Sequence, residues 1–184
     1  MGARVRFIYE NNLLKNMMDK VLVLDVDETL LNMEPLFFLE KFKKNYKDYK
    51  GKLIFDRYYL SPRPNIETFI NEVKRNFQLV AFSTANKEAT IQKLTAIGIL
   101  NDFIRVYGKE NLQDKKKSLR LIAKDLKVDL NNIVGIDDVP ESFFEKERII
   151  KIKPWFIGDD KNDEELIAVS KNLELNFAKI SSWN

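Results

Sequence analysis

The chain has 184 residues, 45% hydrophobic and 32% charged, with a formal net charge of +3 and a pI near 8.9. That is a globular composition with room for one full core and a small insertion, and its mild basicity fits an acidic substrate without marking a nucleic-acid binder. With neither Cys nor His, the chain excludes disulfides, a cysteine nucleophile, a Ser-His-Asp triad, a His/Cys zinc site and imidazole acid–base catalysis. Carboxylates, hydroxyls and lysines remain, and they suit an oxygen-ligated Mg²⁺ site with Asp as nucleophile.

In chain order, Met1 to Arg6 lacks the apolar core of a signal peptide, and Arg6 stands where a myristoylation site needs Ser or Thr. No apolar run approaches the ~18 residues needed to span a membrane. Lys20 to Leu31 reads as a buried strand running directly into Asp25, Val26, Asp27, Glu28 and Thr29. Side chains alternate along a strand, so Asp25 and Asp27 start toward the same side of the sheet. Two carboxylates at that depth need a cation, a shared proton or both. One Asp after a strand is usually a loop residue or a helix N-cap; two Asp plus Thr29 point to a site.

A polar, lysine-rich stretch follows, with Phe42, Tyr46 and Tyr49 interleaved among lysines that include Lys43 and Lys44. It reads as a solvated face in preference to a rim for a phosphate-bearing polymer. Leu53 to Leu60 has β character. Pro64 is placed to open a helix whose apolar stripe is Ile66, Phe69, Ile70 and Val73. Leu79 to Thr84 is a second buried strand, ending in the hydroxyls of Ser83 and Thr84; one of these is equally expected as the N-cap of the next helix. That helix covers Glu88 to Ile97, and a short strand Phe103 to Val106 comes next. Residues 115–127 form a helical pattern, Ile133 to Asp138 a strand ending in two acids, and Ile149 to Ile152 a last strand. Trp155 and Phe156 read as core packing. A final helix is expected over Asp159 to Leu173, its early acids Asp159, Asp160, Asp163, Glu164 and Glu165 favoured by the helix dipole.

Strands alternating with helices predict an α/β fold: a doubly wound, Rossmann-like parallel sheet in one domain over residues 1–184. Residues 32–62 are read as a small β insertion after the first strand, and no segment is long enough for a large cap. In such sheets ligands bind outside the carboxyl ends of the strands, where Asp25, Asp27, Ser83, Thr84, Asp137 and Asp138 all fall.

The segment Asp25-Val26-Asp27-Glu28-Thr29-Leu30 resembles the D-x-D-x-T signature of the haloacid dehalogenase (HAD) superfamily of Asp-nucleophile phosphatases. Arg63-Pro64, Ala81-Phe82-Ser83-Thr84-Ala85, Ile136-Asp137-Asp138-Val139-Pro140-Glu141-Ser142 and Pro154-Trp155-Phe156 resemble its branch of small phosphatases acting on the RNA polymerase II carboxy-terminal domain. The resemblance implies that Asp25 attacks phosphorus and displaces the ester oxygen to give an aspartyl-phosphate, with Asp27 as general acid and base and a metal ligand through its backbone carbonyl. It implies that a hydroxyl binds the phosphoryl oxygens. A gap-free count from Arg63-Pro64 favours Ser83, and the local Thr-Ala pairing favours Thr84. It implies a lysine as well, and spacing favours Lys117 over Lys115 and Lys116. Asp138 is expected to complete the Mg²⁺ shell and Asp137 to hold the lysine or a metal-bound water; relatives carry Asp-Asn here. Thr29 completes the signature in a supporting role.

The resulting expectation is a Mg²⁺-dependent phosphatase for phosphoserine or phosphothreonine on a protein, intracellular, in cytoplasm or nucleus. A nucleic-acid 3′- or 5′-end phosphatase and a non-catalytic docking module of the same fold are the alternatives.

Overall fold

Val21, Leu22, Val23 and Leu24 are wholly buried in the middle of a five-stranded sheet. The computed structural model describes residues 20–41, 46–54 and 56–181. Strands are β1 (Val21–Leu24), β2 (Leu31–Pro35), β3 (Lys52–Ile54), β4 (Tyr58–Pro62), β5 (Gln78–Phe82), β6 (Phe103–Tyr107), β7 (Ile133–Asp137) and β8 (Ile149–Lys151). Helices are α1 (Leu36–Lys41), α2 (Ile66–Val73), α3 (Lys87–Ala96), α4 (Leu119–Leu126) and α5 (Glu165–Ser181). The main sheet runs β6-β5-β1-β7-β8, every pair parallel.

The chain lays β5 and β6 on one side of β1 and then crosses to lay β7 and β8 on the other, so strand order reverses at β1. That reversal opens the crevice where ligands bind in open α/β sheets. Alternation divides the core: Leu22, Leu24, Leu79, Ala81, Val134 and Ile136 pack toward α2 and α5, whereas Val21, Val23, Val80, Phe82 and Ile133 pack toward α4. Leu24 stands in register with Ala81 and Ile136. Asp25 and Asp137 therefore leave the sheet at the same level, and the Asp25 N–H donates to the Ile136 carbonyl at 3.0 Å.

The segment after β1 is more structured than its polar composition suggests. A separate antiparallel sheet, β2-β4-β3, forms within it, and α1 joins β2 to the rest, so the expected β insertion also carries a helix. Leu53 to Leu60 is two strands, not one, with Asp56 at a positive φ of 55° in the turn between them. Phe42, Lys43, Lys44 and Phe55 lie outside the described residues. Trp155 is buried against Leu39 and Ile157, edge-to-face with Tyr49 at 5.9 Å, and its backbone N–H donates to the Glu28 carbonyl. It thereby pins the insertion to the turn that carries Asp27. Phe156, also read as core, is 38% exposed.

Three helix starts differ from expectation. The helix expected over 115–127 begins only at Leu119, because Lys115 takes a left-handed φ of 65° and Ser118 is the N-cap. Pro64 precedes α2 by two residues, because Asn65 adopts a left-handed conformation (φ 63°) as the N-cap. The last helix begins at Glu165, not Asp159. Asp159 and Asp160 spend their carboxylates on the N–H groups of Phe156 and Asn162, local turns that compete with helix. Asp163 instead takes a forked ion pair from the buried Arg63, Nε to Oδ1 at 2.8 Å and Nη2 to Oδ2 at 3.1 Å. Arg63 Nη1 also donates to the carbonyls of Thr29 and Lys153. No described helix is long and apolar enough to cross a membrane.

Candidate active site

The turn after β1 folds tightly on itself. Leu30 and Leu31 N–H donate back to the Val26 carbonyl, and Glu28 N–H donates to that of Leu31. Glu28 adopts φ 58°, a left-handed conformation that costs a non-glycine residue energy and is typical of constrained functional turns. The turn sends Asp25 and Asp27 to different partners.

Asp25, 6% exposed, faces Lys117 and Asp137. Lys117 Nζ stands 2.5 Å from Asp25 Oδ1 and 2.7 Å from Asp137 Oδ2. Burial opposes the charge on Lys117, but the two carboxylates outweigh it and hold its pKa above the ordinary lysine value. Lys115 and Lys116 are exposed, so of the three lysines only Lys117 enters the site. It precedes α4, whose N-cap is Ser118. Its backbone is clamped on both sides, N–H to the Ser142 carbonyl and carbonyl to the Phe144 N–H.

Asp137 ends β7 and is fully engaged: Oδ1 accepts from the Val139 N–H at 2.7 Å, and Oδ2 accepts from Ser142 Oγ as well as Lys117. Asp138 accepts from Thr29 Oγ1 at 3.2 Å. One carboxylate oxygen each from Asp25, Asp137 and Asp138 lies within 4.8 Å of the others. Burial pushes the Asp25 carboxyl up to about 7; Lys117 pulls against this, while Asp137 and Asp27 add repulsion. Burial and then Asp137 also raise Asp138. Three converging carboxylates served by one lysine are under-neutralised, and an all-oxygen donor set of this kind fits a hard divalent cation such as Mg²⁺.

The Asp27 carboxylate stands apart from that group. Its Oδ2 accepts from Ser83 Oγ at 3.1 Å and its Oδ1 pairs with Lys93 Nζ at 2.5 Å. Ser83 is buried at the end of β5, and its Oγ also accepts from the Ala85 N–H. Thr84 is exposed. Neither hydroxyl caps α3, since Asn86 does so by accepting from the Ala89 N–H at 2.7 Å.

Asp25, Asp27, Ser83, Lys117, Asp137, Asp138 and Thr29 thus converge, and Thr84, the next residue after Ser83, is exposed. Lys93 is the participant that sequence reading missed. The available signal was its position between Thr90 and Leu94, on the inward face of α3.

A parallel sheet with an Asp-x-Asp-x-Thr turn at its central switch point defines a phosphatase of the haloacid dehalogenase type. A model of the NLI interacting factor-like phosphatase family matches residues 20–183, and the chain belongs to that family, in the CTD phosphatase branch. It is 26% identical to a CTD phosphatase-like protein of Invertebrate iridescent virus 3, over 88% of this chain and 98% of the relative. It is 30% identical to CTD nuclear envelope phosphatase 1 of Xenopus tropicalis, over 85% of this chain and 66% of the relative. A fission yeast RNA polymerase II CTD phosphatase bound to beryllium fluoride shares the fold at TM-score 0.63 and 18% identity, over 96% of this chain but only 56% of that one. A haloacid dehalogenase-like hydrolase from Xanthomonas campestris shares it at TM-score 0.59 and 8% identity, over 89% of this chain and 98% of that one.

Proposed function

We propose that the protein is a Mg²⁺-dependent phosphatase acting on phosphoserine or phosphothreonine displayed on a protein chain, with Asp25 as nucleophile. The observation that carries this reading is Asp25 itself. It sits at the carboxyl end of the central strand, 2.5 Å from a buried lysine and within 4.8 Å of the Asp137 and Asp138 oxygens.

Asp25 and Asp138 would hold Mg²⁺ through their carboxylates and Asp27 through its backbone carbonyl. Bound there, the cation offsets the repulsion between a phosphoryl dianion and an attacking carboxylate. Asp25 attacks phosphorus and the seryl or threonyl oxygen departs, leaving an aspartyl-phosphate on Asp25. Asp27 gives the departing oxygen its proton, then takes one from the water that attacks the aspartyl-phosphate. Ser83 and the N–H groups beyond β5 suit the phosphoryl oxygens. Lys117, tied down by Asp137, neutralises charge on Asp25 and the phosphoryl group.

A phosphorylated polymer is favoured over a small metabolite because the described residues form no large cap over the carboxyl ends of the strands. The CTD phosphatases among the relatives make an extended phosphoserine peptide, such as the polymerase tail, the first substrate to test. Full retention of Asp25, Asp27 and Asp138 argues against a purely docking role.

A turnover panel of phosphopeptides, 3′- and 5′-phosphorylated oligonucleotides and small phosphates tests the reading, with Asp25→Asn as control. Phosphopeptides should turn over fastest, and Asp25→Asn should abolish turnover with its circular dichroism unchanged. Faster turnover of oligonucleotide ends would reassign the substrate, and appreciable hydrolysis by Asp25→Asn would overturn the covalent step.

A further inference from the structure

Lysine is among the residues least often buried, because its ammonium must be paired to leave water. Among the described residues two lysines are buried, Lys117 and Lys93, and each grips a different acid of the turn after β1. Lys117 serves the nucleophile. Lys93 sits in the middle of α3, 4% exposed, on the helix face that also buries Thr90 and Leu94.

Both oxygens of the Asp27 carboxylate are thereby occupied from one βα unit, Oδ2 by Ser83 at the end of β5 and Oδ1 by Lys93 on α3. The terminal torsion of an aspartate is soft, so one hydrogen bond leaves the plane of the carboxylate loosely set and two on opposite oxygens fix it. A proton donor must meet the leaving oxygen at hydrogen-bond distance, so a wandering carboxylate loses turnover even with its chemistry intact.

We propose that Lys93 is a positioning residue for Asp27, acting on the proton-transfer steps and not on phosphate binding. The inference rests on the reading of Asp27 as general acid and base. Replacing Lys93 should therefore hurt substrates in proportion to their need for a proton.

The test compares the pre-steady-state rate of Asp25 phosphorylation from a phosphoserine peptide and from an aryl phosphate whose leaving group departs without a proton. Lys93→Met should slow the peptide reaction by ~10–100-fold, part of the ~100–10,000-fold that a general acid supplies, and leave the aryl burst almost unchanged. Lys93→Arg should recover most of the loss. In an Asp27→Asn background Lys93→Met should cost nothing more, because residues acting through one group are non-additive. If Asp27→Asn separates the two substrates but neither Lys93→Met nor Lys93→Gln does, the inference fails and the role of Asp27 stands. Equal losses on both substrates with Asp27→Asn would overturn that role and the inference with it. A Lys93→Met effect confined to KM would make Lys93 a phosphate-binding group and overturn the proposal.

Discussion

Thr29 donates its hydroxyl to Oδ1 of Asp138 over 3.2 Å, joining the turn after β1 to the end of β7 across 109 residues of chain. Thr29 is fully buried, so the bond orients a carboxylate that would hold the metal. Thr29→Val keeps the shape and removes the donor. It should weaken Mg²⁺ binding by ~10–100-fold, as loss of an outer partner of a ligand commonly does. Saturating Mg²⁺ should restore most of kcat. A Mg²⁺ titration of activity checks this, and an unchanged half-saturation point would refute it.

Protons should compete with the metal. The Asp25 carboxyl is pushed by burial up to about 7 from an ordinary 3.8, so a cation must displace a proton below that pH. Mg²⁺ affinity should fall by ~tenfold per pH unit below about 7 and level off above it. For the metal-free protein the sign is the reverse of the usual aspartate. With the folded pKa above the unfolded one, this group's contribution to stability is full below about 3.8 and is lost as pH rises toward about 7. Calorimetric titrations in buffers of different ionisation enthalpy should find proton release on the acidic side only. A Mg²⁺ affinity independent of pH from about 5.5 to 7.5 would contradict this.

Lys117 separates from its two neighbours by burial alone. Lys117→Met leaves Asp25 and Asp137 buried without their shared cation, and should cost ~3–5 kcal/mol of stability together with activity. Lys115→Ala and Lys116→Ala, at exposed positions, should stay within ~0.5 kcal/mol of the parent and retain turnover. Chemical denaturation of the three variants decides it. Asp137→Asn should partly rescue the fold of Lys117→Met by removing one of the stranded charges.

Ser83 and Thr84 should differ as sharply. Ser83→Ala removes a donor to Asp27 and leaves Oδ2 unsatisfied, so kcat on a phosphoserine peptide should drop by ~10–100-fold, within the range for one group assisting proton transfer. Thr84→Ala should change it by less than ~2-fold, as expected of an exposed side chain that does not bond to Asp27. A larger effect at Thr84 would reassign the hydroxyl.

The placement of Asp25, Asp137 and Asp138 is readable in the sequence because three apolar runs each end in polar residues, and parallel strands in register bring such ends to one level. Lys117 is readable only with a family pattern in hand, since a run of three lysines otherwise looks solvated. Lys93 is only faintly readable: it shares a helix face with Thr90 and Leu94, but a lysine within a helix ordinarily faces water, and its partner lies 66 residues earlier in the chain. The start of α5 is misjudged for a different reason. Acids ahead of a helix look like favourable dipole partners, but Asp159 and Asp160 close turns of their own and Asp163 answers to Arg63. β2 and α1 escape notice because they are short: the alternation Leu31-Asn32-Met33-Glu34 stops at Pro35 after four residues, and the six residues Leu36–Lys41 are too few to set a helical period. Their structure depends on tertiary partners such as Trp155.

Leu31 and Pro62, the first and last residues of the small antiparallel sheet, are register partners directly across from one another. The chain leaves the catalytic scaffold and returns to it at a single point, so the segment in between resembles an exchangeable head on a fixed handle. Its exposed surface can change without moving any strand that carries an acid, so long as Leu39 and Tyr49 keep their packing on Trp155. New targets are thus open to such an enzyme through changes to some thirty residues while its chemistry is inherited intact.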